Sequence, residues 1–196
     1  MSGLRPDLAV IAAHVNAGAR VLDIGCGDGA LMAALQDDRG CDARGMEVDP
    51  VLVERCVAKG LSVVQGDADR DLVDYPDRAF DYAILSQTLQ TAARPDRMLD
   101  ELLRVGRQAF VSFPNFAHWR TRAALMLRGR MPVTRHLPVS WYETQNIHHV
   151  TVADFRELIA AKRVKCERAW FFAGDREIGA AAANFRAEHA VFELSR

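Results

Sequence analysis

The chain has 196 residues, 49% of them hydrophobic and 26% charged, and a net charge of −1. That is the size and balance of one globular domain, and it supplies no bulk electrostatic reason to bind nucleic acid or an anionic membrane. No apolar run approaches the roughly 20 residues of a membrane span, and Met1-Ser-Gly-Leu-Arg-Pro-Asp7 has no apolar core behind a basic start. Four scattered cysteines (Cys26, Cys41, Cys56 and Cys166) form no C-x-x-C pair. They suit reduced thiols better than a disulfide frame or a zinc site, so a cytoplasmic protein without a metal is expected.

Residues 8–15 read as a short leading helix, closed by Asn16-Ala-Gly18. Residues 20–24 form a first strand with a continuous apolar core, as a strand buried on both faces requires. A helix follows over 29–35, then a strand over 41–48 that ends in Glu47 and Asp49. Pro50 opens the next helix at a position it tolerates, and Gly60 stops it. Strands are expected at 61–65, 80–86 and 108–113, with an amphipathic helix over 94–105. Thr151 caps a helix to residue 161, with Asp154 in its first turn. Strands over 164–172 and 187–194 close the chain. The segment 174–186 between them is too poor in periodic signal for a crossover helix, so a hairpin with one antiparallel strand is expected. Alternating strands and helices to residue 113 argue for an α/β fold, a mostly parallel seven-stranded sheet with helices on both faces.

Residues 114–150 break the alternation. They contain Trp119, Trp141 and Tyr142, a helix near 118–128, and Arg120, Arg122, Arg128, Arg130 and Arg135 against Glu143 alone. The segment reads as an ordered cap, inserted in a single domain of 1–196, over the carboxyl ends of the strands, where open α/β sheets bind ligands.

The stretch Val21-Leu-Asp-Ile-Gly-Cys-Gly-Asp-Gly-Ala-Leu31 is a strand, a glycine turn and a helix start. Gly25, Gly27 and Gly29 let backbone approach a ligand, and the helix N-terminus behind them favours negative charge. With Ala30 the stretch also satisfies G-x-G-x-x-G/A, so the turn alone does not separate a nicotinamide cofactor from S-adenosylmethionine. Asp23 does: a carboxylate there repels a pyrophosphate and attracts an ammonium or a sulfonium. Glu47, 20 residues on, suits two ribose hydroxyls in either cofactor. Asp67, after the third strand, can accept from an adenine amino group, and the next backbone N–H can donate to the ring. Each acid also has a plain reading, as a cap, a strand end or a turn. Their occurrence at successive strand ends carries the inference.

This set resembles the class I S-adenosylmethionine-dependent methyltransferases. Asp23-Ile-Gly-Cys-Gly-Asp-Gly29 matches their first motif, Glu47 with Val48 the second, and Asp67-Ala68 the third, and Ser86, Gln87 and Thr88 correspond to the methionine side. The resemblance implies a Rossmann-like fold and cofactor contacts from Asp23, Gly25, Cys26, Gly27, Gly29, Glu47, Val48, Asp67, Ala68, Ser86 and Gln87. A closer likeness lies in the cap. Val111-Ser-Phe-Pro-Asn-Phe116, His118-Trp-Arg120, Gly129-Arg-Met-Pro-Val-Thr134 and Trp141-Tyr-Glu-Thr-Gln-Asn-Ile-His148 resemble the MetW family of methionine biosynthesis proteins. That resemblance implies S-adenosylmethionine (or S-adenosylhomocysteine) as cofactor and homoserine O-acyltransferase as partner, and it leaves a homodimer open. Its second histidine after Ile147, His149, departs from the family pattern.

For chemistry in the cap, His118, His148 and His149 are candidate bases and Tyr142 a candidate for orienting an acceptor. The same histidines can cap turns, and the tryptophans can simply pack. No Asn-Pro-Pro-Tyr follows the fourth strand, so the architecture that clamps a planar amine is unsupported. The cap arginines suit a solvated face, an anionic small molecule or an acidic partner. Two functions remain: a cofactor-binding subunit acting with the acyltransferase, or an active methyltransferase on a small molecule.

Overall fold

In the computed structural model, which describes residues 3–134 and 139–196, helices and strands alternate up to residue 114. They run α1 (Pro6–His14), β1 (Arg20–Ile24), α2 (Ala30–Arg39), β2 (Asp42–Glu47), α3 (Pro50–Ala58), β3 (Ser62–Gln65), α4 (Ala68–Asp71), β4 (Phe80–Ser86), α5 (Pro95–Val105) and β5 (Gly106–Pro114). After them come α6 (Trp119–Arg128), α7 (Val152–Ala161), β6 (Lys165–Ala173), β7 (Arg176–Ile178), α8 (Ala183–Arg186) and β8 (His189–Ser195). Local chemistry sets the helix ends. Asp49 caps α3 by accepting from the Val51 N–H at 2.8 Å, with Pro50 as the first helical residue. Thr151 caps α7, its hydroxyl accepting from the Asp154 N–H at 3.1 Å and donating to the Asp154 carboxylate at 2.6 Å.

The described strands form one sheet in the order β3-β2-β1-β4-β5-β8-β6-β7. Strands β1 to β5 pair in parallel, and β8 runs antiparallel between β5 and β6. The antiparallel strand is the one expected. The expected count of seven is corrected to eight: the chain turns at Gly174 and lays β7 against the end of β6, pairing Phe171 with Ile178 and Ala173 with Arg176. Three residues are too few to carry an alternation, so this strand leaves no readable pattern in the sequence.

Successive strand residues point to opposite faces, and both faces are covered. Leu22, Leu85, Val111 and Phe113 pack under α5 and α7, with Leu99, Leu102 and Phe155. Val21, Ile84 and Phe110 pack on the other face against Ile11 of α1 and Leu31 and Leu35 of α2. That is why these strands read as unbroken apolar runs.

The cap begins at Asn115, which is buried and fully used. Its amide donates to the carbonyls of Asn184 and Ala187, at 3.1 and 2.8 Å, and its carbonyl accepts from the N–H groups of Ala117 and Val152. One side chain thus ties the end of β5 to the turn before α6, to α7 and to α8. Helix α6 ends at Gly129, whose N–H bonds the Leu125 carbonyl. The segment returns with the Ile147 and His148 N–H groups on the Gln90 carbonyl, 2.9 and 3.0 Å away, in the turn after β4. Of the cap arginines, Arg135 lies outside the described residues.

Candidate functional site

The glycine turn is braced from three sides. The Gly25 and Cys26 N–H groups donate to the Met46 carbonyl at 2.8 and 3.2 Å. The Gly27 N–H donates to Glu47 Oε2 at 2.8 Å, and the Cys56 thiol donates to the Gly27 carbonyl at 3.3 Å. The Lys59 ammonium holds both the Asp28 carbonyl and its carboxylate, at 2.6 and 2.9 Å. Two glycines are required here for different reasons. A Cβ on Gly25 would stand 2.5 Å from Thr88 Oγ1, and φ there is +69°. Gly27 also lies in the left-handed region, at +59°, but a Cβ would meet nothing within 4 Å. The turn is packed behind Gly25 and open above Gly27.

That open side belongs to a cavity of about 380 Å³, lined among others by Arg5, Asp23, Cys26, Ser86, Gln87 and Thr88. Asp23 is 2% exposed, and its carboxylate accepts no hydrogen bond from a described residue. Burial raises its pKa to about 7, helped by the nearby Glu47 charge and opposed by Arg5. Burial likewise pushes the Cys26 thiol up, so it is no nucleophile at neutral pH. Beneath the cavity, Asp7 Oδ2 accepts from the hydroxyls of Ser86 and Ser112, at 3.1 and 3.0 Å, and from the Arg5 guanidinium at 3.3 Å. Gln87 follows with φ +52°, a left-handed conformation costly for a side chain of this size and of the kind found at binding sites.

Glu47 is 7% exposed, and its carboxylate already accepts three backbone N–H groups, from Gly27, Val48 and Asp49. A carboxylate offers about four acceptor positions. One, on Oε2, is left for a further donor. Val48 beside it is 63% exposed, an apolar surface next to the acid. Asp67 caps α4, accepting from the Asp69 N–H at 3.0 Å, and lies 3.6 Å from the Arg70 guanidinium. Ala68 is the first residue of that helix. The turn chemistry foreseen for Asp67 is therefore present, and its side chain stays about half-exposed.

The candidate catalytic residues do not gather at the cavity. His118 is buried as the cap of α6, with Nδ1 accepting from the Arg120 N–H at 3.4 Å. Tyr142 is exposed and stacks edge-on against Trp141. His148 is tied through its backbone to Gln90, and its Nε2 is buried with no partner among the described residues, as is Gln90 Oε1. Arg5 and Asp7, outside every motif in the sequence, belong to the site: Arg5 lines the cavity and Asp7 holds Ser86. The available signal was Pro6, a first-turn proline that starts the helix two residues before Leu8.

The chain matches the family model described as methionine biosynthesis protein MetW over residues 5–194. It is 34% identical over 167 residues to a bifunctional methionine biosynthesis protein MetXA/MetW of Rhodopirellula baltica, covering 81% of this chain. It spans only 27% of that relative's length. Among solved structures, a S-adenosylmethionine-dependent methyltransferase from Mesorhizobium loti superposes with a TM-score of 0.73 at 18% identity, covering 99% of each chain. A second, from Archaeoglobus fulgidus, gives 0.71 at 15% identity over 96% of this chain and 91% of that one. These likenesses establish a Rossmann-like class I methyltransferase fold. The match across nearly the whole length, cap included, makes this chain a member of the MetW family of methionine biosynthesis proteins.

Proposed function

We propose that the chain binds S-adenosylmethionine, or S-adenosylhomocysteine, at the glycine turn and acts with homoserine O-acyltransferase in forming O-acylhomoserine. The observation that carries the cofactor reading is Asp23: a buried carboxylate with no hydrogen-bond donor among the described residues, facing the cavity beside the open side of Gly27. A ligand cation satisfies it, and a pyrophosphate would add a second anion to a buried one. Glu47 has an acceptor position left for a ribose hydroxyl, and exposed Val48 offers an apolar face to a base. The residues present fit the cofactor. When bound, it would supply an activated methyl group on sulfur.

The partner reading is supported by the Rhodopirellula baltica relative, a bifunctional protein named for both MetXA and MetW. It is also supported by where two candidate catalytic side chains stand: His118 caps a helix and Tyr142 faces solvent. A chain that binds the cofactor without turning it over fits that arrangement better than an active methyltransferase does.

Two measurements test this. In calorimetry, S-adenosylmethionine should bind and NAD should not; tighter NAD binding sinks the cofactor reading. In an acylation assay with the acyltransferase, adding the chain should change the rate. An unchanged rate with no complex formed removes the partner reading.

A further inference from the structure

Helix α6 lies on the molecule without burying an apolar face in it. Of its ten residues only Thr121 is buried, while Met126 and Leu127 are more than three-quarters exposed and Trp119 and Leu125 nearly half. With about 3.6 residues per turn, Trp119, Ala123 and Met126 (i, i+4 and i+7) line up on the side opposite Thr121, with Leu127 beside them. An apolar stripe at this spacing normally packs on a core or in a groove. Here it faces solvent.

The charge around the stripe is of one sign. Between Glu101 and Glu143 the sequence holds seven arginines and no acid. Arg120, Arg122, Arg128 and Arg130 lie on or next to α6, and none pairs with a carboxylate of a described residue. Two of them are held in place. The Arg122 Nε donates to the Ala117 carbonyl at 2.6 Å, with its guanidinium 5.8 Å from the centre of the Phe185 ring, and the Arg120 guanidinium lies 5.4 Å from the centre of the Trp119 ring. Phe185, half-exposed on α8, widens the apolar surface. Two residues past Gly129, Met131 enters a recess of about 320 Å³ with Phe116, Val139 and Trp141.

We propose that α6 docks into an apolar groove ringed by carboxylates on a partner protein, and that the recess takes one apolar side chain of that partner. This rests on the partner reading above, in which the partner is the acyltransferase, and adds the face that meets it. Arginine forks pair bidentately with carboxylates, and Trp, Met and Arg are the residues enriched where protein interfaces are most buried. A recess takes a protruding side chain, which a bilayer does not offer. A second copy would set the same arginines against each other, because a two-fold interface apposes like surfaces.

Calorimetric titration of the acyltransferase into the chain tests this, with thermal unfolding of each variant as the check on folding. Met126→Glu puts an anion on the exposed stripe. It should weaken the complex on the order of 10- to 100-fold and leave the unfolding temperature where it was. Arg128→Glu should weaken the complex too, and should flatten the loss of affinity that added salt causes in the natural one. Met126→Leu, which keeps the stripe apolar, should dock as the natural chain does. A complex that forms with the natural chain and is indifferent to both glutamate variants overturns the role of α6 and leaves the partner reading standing. If the natural chain forms no complex, both fall. Flotation with anionic phospholipid vesicles and sedimentation of the chain alone look for the other occupants. Vesicle binding or self-association that Met126→Glu abolishes, beside an acyltransferase complex that it spares, would overturn the proposal in favour of a membrane or a second copy.

Discussion

Asp23 concentrates the electrostatics of the site. Arg5, Glu47 and Cys26 are the titratable groups around it, and only Arg5 favours its charge. Its folded pKa of about 7 stands above the ordinary 3.8, so between these values the folded chain keeps a proton that the unfolded chain has released. Ligand-free stability therefore falls as pH rises through that window and levels off above it. A bound cation reverses the preference by stabilising the ionised form. Binding then expels a proton below neutrality, and affinity should rise by up to about tenfold per pH unit toward pH 7 and flatten above it. Asp23→Asn should bind weakly with a flat profile. Calorimetry across this range checks both, and a flat profile for the natural chain would show that Asp23 does not face the ligand's charge. Asp23, Glu47 and the glycines were legible in the sequence because the chemistry is packed into short stretches behind strands. Arg5 and Asp7 were not. Their partners lie 79 to 105 residues away, and only the fold brings them beneath one cavity.

At the scale of elements, the strands and helices that bury a whole face stood out, and those held by a few backbone bonds did not. Strands β1 and β4 fall where their apolar runs place them, and α7 starts at the Thr151 cap. Strand β7 and helices α4 and α8 are three or four residues long, below the period of any pattern. The glycine turn joins the two levels, since its shape follows from what packs behind it. Gly25→Ala meets two separate obstacles: a left-handed φ, costing roughly 1–2 kcal/mol, and the Thr88 hydroxyl 2.5 Å from the new Cβ. The variant should lose most cofactor affinity while keeping the core. Adding Thr88→Ala removes the steric part alone, so the double variant should recover some affinity and stay short of the natural chain. Equal affinities for single and double variants would mean that backbone strain alone matters at this position.

Across the whole molecule, the cavity and the cap are joined through the turn after β4. Gln87 and Thr88 line the cavity, and Gln90, two residues on, holds the cap through the Ile147 and His148 N–H groups. Beyond that joint the cap leaves Met126, Leu127, Trp141 and Tyr142 more than two-thirds exposed, apolar and aromatic side chains of the kind that partner proteins cover. If the acyltransferase docks there, a ligand that orders the turn changes the docking surface. The coupling must then be reciprocal, typically 5- to 150-fold in each direction. Saturating acyltransferase should therefore shift the affinity for S-adenosylmethionine by the same factor by which S-adenosylmethionine shifts the affinity of the complex. Trp141→Ala should weaken the complex and leave cofactor binding to the isolated chain unchanged, because it touches only the far side of the joint. Titrating cofactor into the chain alone, into the complex and into the Trp141→Ala chain separates these outcomes. Equal cofactor affinity with and without saturating acyltransferase would leave a complex in which the glycine turn has no say. A Trp141→Ala chain that still docks at full strength would move the interface off the cap.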